Sequence, residues 1–328
     1  MRIIKIKTRI HYIDGLRVTF ALMGIMYHLA FYYIVNPRSL QTIVAPDYSK
    51  GFFWITELLH LFRMDSFFLI AGFFAAMSLT RLDFQAFLKK RVANLYILNI
   101  VPIVFVVTTL ASYLIELKIG SFGPFSPKYW QSLAFLNHLW FLVVLFICYF
   151  IYGYLSKKKD VISFMQNKVQ PMHLVLLGFI YLCWAFFAKL FPVLWTENII
   201  VDSIYRSFVY FPYFILGSVI YFNKNIAEVF IKHSLIRILA SLLFVFAYLY
   251  IVNQQYGLAD THYSPTFKLF TYLAKGFASL GAVYLVFLAS TKMFRNDTKI
   301  LQYLSRRSYT VYLLHYPLCL IIGYVLLK

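Results

Sequence analysis

The chain has little charge for its length. Of 328 residues, only 13% are Asp, Glu, Lys or Arg, whereas soluble domains carry about 25%, so the charges are too few to cover a globular surface. Its three cysteines, Cys148, Cys183 and Cys319, stand singly inside apolar stretches, which excludes a disulfide framework and a cysteine-based zinc site. Phosphate-binding loops and the GxGxxG, GxSxG and HExxH motifs are also missing. ATP-driven transport, dinucleotide chemistry and the common hydrolase mechanisms therefore have no support.

Apolar and aromatic residues dominate instead. Hydrophobic residues make up 62% of the chain and aromatic residues 20%, and the mean hydropathy is +0.73. A helix crosses the ~30 Å hydrocarbon core of a bilayer with about 20 mostly apolar residues. The sequence predicts an all-α polytopic transmembrane helix bundle of about nine or ten spans, forming one membrane-embedded domain over residues 1–328 with no separate soluble domain. The predicted spans cover residues 17–35, 58–80, 94–115, 138–155, 172–191, 205–222, 236–253, 270–290 and 308–327.

Basic residues are distributed unevenly among the predicted loops. With a cytoplasmic N-terminus, twenty Lys and Arg residues fall in loops on the inner side and seven in loops on the outer side. This is the positive-inside bias of multi-pass membrane proteins. The net charge of +19 therefore follows from topology and does not indicate a nucleic-acid partner. Since no small-residue cleavage site follows the first apolar run, we expect that span to be retained.

Three polar residues lie along one face of the first predicted helix. Asp14 and Arg17 are three residues apart, and His28 is eleven residues, or three turns, beyond Arg17, about 16 Å deeper. A charged or titratable group inside a span needs a partner or a function, because an unpaired charge there costs ~2.5–3.5 kcal/mol. The pattern predicts that these three side chains line a path from the cytosol into a cavity. Alternatively, Arg17 anchors the helix at the inner surface and His28 hydrogen-bonds to a neighbouring helix.

The second predicted span carries four polar residues near its outer end. Glu57, His60 and Arg63 repeat every three residues along one ridge of a helix. Arg63 and Asp65 are too close in sequence to face each other, so each is expected to pair elsewhere. The group is either a substrate-binding site or a buried ion-pair network that joins helices. Because residues 51–79 would extend about 43 Å as one helix, we expect a short helix before the second span.

Two further histidines stand at notable places in the spans. His315 precedes Pro317, which cannot donate to the carbonyl of Leu313, and it lies about 12 Å from the cytoplasmic end of its helix, a depth comparable with that of His28. His138 opens the fourth span at the outer interface. A lone histidine in a span most often has a structural role, with its hydrogen bonds satisfied by neighbouring groups. Two histidines at matching depth instead indicate a shared site.

Three stretches that carry these residues together resemble the acyltransferase 3 family of bacterial membrane proteins. Residues 12–28 contain the Asp-x-Leu-Arg start of that family and its Arg-x10-His spacing. Residues 62–74 are similar to its Phe-Arg-Met-Pro-x-Phe-Phe-x-x-Ser-Gly-Phe run, with Asp65 in place of the proline and Ala71 in place of the serine. Residues 138–142 (His-Leu-Trp-Phe-Leu) and 312–317 (Tyr-Leu-Leu-His-Tyr-Pro) complete the likeness. The motifs occur in the order of the family and span essentially the whole chain.

The resemblance implies a multi-pass acyltransferase of the bacterial cytoplasmic (inner) membrane, nearest to the branch that succinylates glucans. Such an enzyme moves a succinyl or acetyl group from cytosolic acyl-CoA, its donor substrate, to a hydroxyl of an extracytoplasmic glycan or envelope polysaccharide, with no bound cofactor or metal. We expect His28 to act as the base, His315 as a second acid, base or orienting group, and Arg17 with Asp14 to guide the donor. Substrate contacts are expected from five further residues: Arg63, Glu57, His60, Asp65 and His138.

Several alternatives stay open at this point. Transfer runs either in one step or through an acyl-histidine, and a succinyl carboxylate would pair with Arg63 or with Lys275. Besides the donor, the glycan and the lipid bilayer, other envelope polysaccharide-assembly proteins are candidate partners. A multi-pass exporter of a glycan, lipid or small solute also places buried Arg, Asp and His in a helix bundle. A scaffold in polysaccharide assembly is a third hypothesis, and it predicts that His28→Ala is tolerated.

Overall fold

The computed structural model describes residues 11–34, 49–94, 97–119, 123–190, 199–254, 264–296 and 298–326. Within these ranges the chain forms thirteen α-helices and three short 3-10 segments (Phe31–Tyr33, Ala134–Leu139 and Pro171–Phe179) and contains no β-strand. The helices are α1 (His11–Ala30), α2 (Lys50–Leu79), α3 (Phe84–Asn94), α4 (Ile97–Ile119), α5 (Pro127–Gln131), α6 (Trp140–Leu155), α7 (Lys159–Asn167), α8 (Ile180–Leu190), α9 (Ile199–Phe222), α10 (Lys224–Ile231), α11 (Leu235–Gln254), α12 (Pro265–Met293) and α13 (Lys299–Leu326).

Helical structure lies at every one of the nine predicted spans. In the described part of the chain, α2, α11, α12 and α13 are long and apolar enough to cross a membrane. The number rises to six if two bent pairs, α6 with α7 and α9 with α10, each count as one span. The all-α membrane bundle is thus confirmed. The predicted nine spans exceed this count, in part because the apolar helices Val104–Leu117 and Pro171–Phe187 are shorter than 18 residues.

One continuous helix, α2, occupies the region where a break was expected. It runs for 30 residues from Lys50 to Leu79, about 45 Å at 1.5 Å per residue, so the prediction of a separate short helix is wrong. This helix contains no proline, and Gly51 lies in its first turn. A helix longer than the bilayer core tilts or extends beyond it, and all four polar residues of the second predicted span lie on this rod.

Two short helices turn sharply away from the spans that precede them. α7 is bent by 101° from α6, and α10 by 107° from α9. At the second bend the Asn223 side chain accepts from the backbone N–H of Asn225 at 3.1 Å and donates to the carbonyl of Val169 at 3.0 Å. In α10, a hydrogen bond from the Lys232 ammonium lowers the pKa of the Glu228 carboxyl. Helices at such angles with one apolar face are typical of segments lying along a membrane surface.

Small residues let the helices approach one another closely. A Cβ added to Gly217 of α9 would lie 1.8 Å from the carbonyl oxygen of Leu69, and one added to Gly72 of α2 would lie 1.8 Å from that of Phe214. The Ser218 hydroxyl donates to the carbonyl of Gly72 at 3.1 Å. Because apolar side chains gain little from leaving lipid, such backbone contact and interhelical hydrogen bonding drive helix association in membranes. The α2–α9 pair therefore forms the structural centre of the bundle.

Candidate active site

Three histidines meet where α1, α13 and the Ala134–Leu139 segment converge. The ring centroids of His28 and His315 are 5.1 Å apart, and those of His138 and His315 are 5.5 Å apart. The Tyr316 ring contacts both His28 and His138, at 5.0 and 4.9 Å. The three residues, which we call the histidine cluster, come from sequence positions up to 287 apart. The prediction that His28 and His315 lie at matching depth is confirmed by this contact.

Hydrogen bonds fix the tautomers of two members of the cluster. His315 Nδ1 lies 2.5 Å from the carbonyl oxygen of Tyr312, and His138 Nε2 lies 2.8 Å from that of Leu313. Since a carbonyl oxygen only accepts, each of these ring nitrogens carries the proton. In the neutral rings the lone pairs are consequently on His315 Nε2 and His138 Nδ1, the geometry of an imidazole ready to accept a proton.

Several buried nitrogens at the cluster have no hydrogen-bond partner among the described residues. They are His28 Nδ1, His138 Nδ1, His315 Nε2, and Nε and Nη1 of Arg63. His315 and His138 are only 3% and 4% exposed, and Arg63 only 5%. Native structures satisfy the great majority of buried polar groups, and exceptions concentrate where a substrate or water completes the bonding. The concentration of such groups at one place makes it the candidate binding site for a polar molecule.

The bond from His138 follows from the proline in α13. Pro317 removes the N–H that would otherwise bond to the Leu313 carbonyl, and His138 donates to that same oxygen. This contact ties the Ala134–Leu139 segment to the middle of α13, directly beside His315. His138 was predicted to bind substrate, and its position in the cluster is compatible with that role. Its Nε2, however, is already hydrogen-bonded to the Leu313 carbonyl of α13.

Arg63 belongs to the same site through an aromatic residue that sequence reasoning missed. Its guanidinium carbon lies 4.6 Å from the centroid of the Tyr27 ring, and Tyr27 also contacts His28 at 5.1 Å and stacks on His60 at 5.9 Å. A Cβ built on Gly24 would lie 3.2 Å from Arg63 Nη1 and 3.1 Å from Nε2 of His315. Arg63 and His60 therefore adjoin the histidine cluster, as their predicted role in substrate binding requires.

The other two polar residues of α2 point elsewhere. Glu57 accepts a hydrogen bond from Tyr248 of α11 at 3.0 Å. Asp65 accepts one from Tyr181 of α8 at 3.1 Å and another from Ser279 of α12. Arg63 and Asp65 thus do not face each other, as predicted, but of the two only Asp65 has hydrogen-bond partners among the described residues, whereas the Arg63 guanidinium lies against the Tyr27 ring. The contacts of Glu57 and Asp65 join helices, which is the alternative stated for this group above.

Lys275 lies with the Asp65 contacts and not with the histidines. Its ammonium is 4.7 Å from the centroid of the Tyr181 ring, whose hydroxyl donates to Asp65. Ser279, one turn further along α12, completes the network through Tyr213 at 3.0 Å. Four helices, α2, α8, α9 and α12, are thus connected by buried polar side chains.

A cavity of about 380 Å³ opens beside the N-terminal halves of α1 and α13. Three arginines line it, Arg17, Arg91 and Arg306, together with apolar and aromatic walls. Arg17 pairs with Asp14 at 3.6 Å, so the predicted shared face of these two residues is confirmed. Arg91 and Arg306 were not predicted, because neither lies inside a span or in a recognisable motif. The cluster of guanidinium groups is suited to anionic ligands such as phosphates.

The cavity stops short of the histidines. Tyr312 lines it, and the far side of the same ring lies 5.3 Å from the ring centroid of His315. Neither His28 nor His315 is among the described residues that line the cavity. The predicted line from Arg17 to His28 is therefore interrupted by one aromatic layer.

Fold and site together define a class: a multi-pass helical membrane protein with a buried His–Arg site behind an arginine-lined cavity. The model of the acyltransferase 3 family, an acyltransferase domain, matches residues 10–328. The chain belongs to this family and is a membrane acyltransferase.

Known relatives agree with this assignment. Glucans biosynthesis protein C of Escherichia coli strain K12 / DH10B is 25% identical to the chain over 333 aligned residues, covering 96% of this chain and 83% of that protein. The proteins of the same name from strains O81 (ED1a) and O9:H4 (HS) match with the same identity and coverage. No solved structure matches the chain significantly.

Proposed function

We propose that the protein transfers a succinyl or acetyl group from cytosolic acyl-CoA to a hydroxyl of an extracytoplasmic glycan. The observation that carries the proposal is the histidine cluster with its bare ring nitrogens, separated by one aromatic layer from an arginine-lined cavity. The glycan acceptor is suggested by the name of the E. coli relatives.

The cavity is the proposed donor site. Acyl-CoA carries its phosphates at the nucleotide end and its acyl thioester at the far end of an elongated pantetheine arm, and guanidinium groups bind phosphate with two parallel hydrogen bonds. Arg17 and Arg306 line the cavity, whereas Arg91 is already held by the Ser78 hydroxyl at 2.7 Å and the Phe74 carbonyl at 3.0 Å. Asp14 orients Arg17. The apolar walls of the same cavity suit the pantetheine arm and the acyl chain.

In the proposed reaction the glycan hydroxyl oxygen attacks the thioester carbonyl. His28 takes the hydroxyl proton as the new C–O bond forms. The C–S bond then breaks, and the proton passes from His28 to the coenzyme A thiolate, either directly or by way of His315 Nε2. A neutral imidazole suits this task because it can accept a proton on a ring nitrogen that carries a lone pair and later release it.

The two sides of the membrane have different roles in this proposal. The excess of basic residues in the predicted inner loops supports a cytosolic N-terminus and a donor cavity that opens to the cytosol. The acceptor is proposed to approach from the outer side, where the first half of α2 and the Ala134–Leu139 segment lie. His60, in this half of α2, stacks on Tyr27 beside the histidine cluster. The bilayer concerned is the cytoplasmic membrane of a bacterium, and envelope polysaccharide-assembly proteins are the proposed partners.

Arg63 is the proposed partner of a succinyl carboxylate. It has two unpartnered guanidinium nitrogens beside the histidine cluster, whereas Lys275 lies in the Asp65 network. Arg63→Gln is expected to lower succinyl transfer at least about tenfold more than acetyl transfer, since a charge-assisted hydrogen bond is worth about 1.5–3 kcal/mol. Lys275→Gln serves as the matched control. Equal loss of both activities in Arg63→Gln would discard the carboxylate role.

The function itself is tested with purified protein in detergent. Radiolabelled succinyl-CoA or acetyl-CoA is incubated with a glucan acceptor, and label in the glucan is measured. His28→Ala is expected to lower the rate by about 100-fold or more, the usual effect of losing a general base. His233→Ala, at an exposed histidine, should keep the activity of the unaltered protein. Absence of transfer from either donor by the unaltered protein would refute the proposal, and full activity of His28→Ala would remove its proposed role.

A further inference from the structure

One aromatic side chain separates the donor cavity from the histidine cluster. Tyr312 lines the cavity on one side, and its ring centroid is 5.3 Å from that of His315 on the other. Tyr312 and His315 are three residues apart on α13, so their rings lie on the same face of that helix. A route from the cavity to His315 along this face of α13 therefore passes this ring.

Tyr312 is packed by two other rings. It stacks on Phe67 of α2 with centroids 5.4 Å apart and an interplanar angle of 13°, and it meets Phe141 of α6 edge-on at 4.4 Å. Only 7% of Tyr312 is exposed. Phe67 also lines the cavity. The passage at this point is consequently bounded by flat rings on adjacent helices, and its width depends on their positions.

The polar contact that holds Tyr312 in place is weak. Its hydroxyl donates to the thioether sulfur of Met64 at 3.3 Å, and a thioether is a poor acceptor. Methionine is also the most adaptable of the apolar side chains. A rotation of the Tyr312 ring therefore breaks little hydrogen bonding, while its stacking on Phe67 returns it to the closed position.

We propose that Tyr312, packed against Phe67, is a gate between the donor cavity and the histidine cluster that selects short acyl groups by the width it leaves. The inference rests on the proposed function and adds a specificity-determining residue to it. A two- or four-carbon group passes with a small displacement of the ring, whereas a longer chain holds the rings apart. The aromatic ring, not its hydroxyl, is the selective element.

The test is a series of donors of increasing acyl length: acetyl-, succinyl-, butyryl- and hexanoyl-CoA. We expect kcat/KM of the unaltered protein to fall steeply for hexanoyl-CoA. Tyr312→Ala should raise the hexanoyl-to-acetyl ratio of kcat/KM at least tenfold, because the ring that limits the passage is gone. Tyr312→Phe keeps the ring and should keep the original ratio. Tyr303→Ala, at an exposed tyrosine on the same helix, is the matched control.

The possible outcomes separate the gate from the function it depends on. If the unaltered protein transfers acetyl or succinyl groups but Tyr312→Ala leaves the donor ratio unchanged, the gate is refuted and the proposed function stands. A merely structural tyrosine would lower the rate with every donor equally and leave the ratio where it was. If the unaltered protein transfers no acyl group from any donor, the proposed function fails and the gate fails with it.

Discussion

Gly24 lies where the side chains of His315 and Arg63 come closest to α1. A Cβ at this position would be 3.1 Å from Nε2 of His315 and 3.2 Å from Nη1 of Arg63. Both neighbours are ends of side chains, so they can move aside by a few tenths of an ångström. A glycine here keeps room for the lone pair of one residue and the guanidinium of the other.

The substitution Gly24→Ala separates activity from stability. Alanine favours a helix by about 0.8–1 kcal/mol over glycine, so the unfolding midpoint in detergent should stay the same or rise. Acyl transfer should fall about tenfold, because small displacements of reacting groups cost much of the rate. Gly51→Ala, where a Cβ meets only Ser49 Oγ at 3.5 Å, is the control. Unchanged transfer by Gly24→Ala would show that the site does not need this gap.

At the scale of helices, one hydrogen bond links the proline-containing part of α13 to the Ala134–Leu139 segment. Pro317 leaves the Leu313 carbonyl without its helical donor, and His138 supplies one at 2.8 Å. The contact holds the part of α13 that carries His315 against the Ala134–Leu139 segment. His138 therefore supports the site through the backbone of another helix, whatever else it binds.

Removing the His138 ring should destabilise the protein in a way that a second change repairs. His138→Ala leaves a buried carbonyl unpaired, at a cost of about 1–3 kcal/mol. Pro317→Ala in that background restores a helical N–H to the same carbonyl, so the unfolding midpoint should recover while acyl transfer stays low. Stability of the double variant no better than that of His138→Ala would contradict this explanation.

The α2–α9 contact is the element-scale feature that tolerates least change. Gly217→Ala would place a Cβ 1.8 Å from the Leu69 carbonyl oxygen, a backbone atom that cannot rotate away. The two helices must then separate, and the bond between Ser218 and Gly72 is lost. We expect a loss of at least about 2 kcal/mol in unfolding free energy. Gly51→Ala again serves as control, and equal stability of the two variants would show that α2 and α9 can part without cost.

At the scale of the whole molecule, the proposed function requires the arginine-lined cavity to face the cytosol. Lys158, in the turn between α6 and α7, then lies inside, and Lys128 of α5 lies outside. A membrane-impermeant maleimide added to spheroplasts should label Lys128→Cys but not Lys158→Cys, and permeabilised cells should label both. The unaltered chain, with buried Cys148 and Cys319 and exposed Cys183, gives the background. The reverse pattern would place the cavity on the extracytoplasmic side and exclude a cytosolic donor.

The sequence by itself determined the membrane class, the all-α character of the chain and the residues of interest. Hydropathy and the ~30 Å bilayer core are enough for the first two, and polar residues inside apolar spans stand out because lipid penalises them. Helical periodicity placed Asp14 beside Arg17 and kept Arg63 away from Asp65. It also showed that Pro317 frees a carbonyl.

Only the tertiary structure decided which helices meet. It brought His28, His138 and His315 together and linked Arg63 to them through Tyr27. It also gave Glu57 and Asp65 hydrogen-bond partners on other helices. It also set Tyr312 between the cavity and the imidazoles, and made α2 one unbroken rod. The physical reason is that contacts between helices depend on close backbone approach and on buried hydrogen bonds, whose partners lie hundreds of residues apart and carry no periodic signal along the chain.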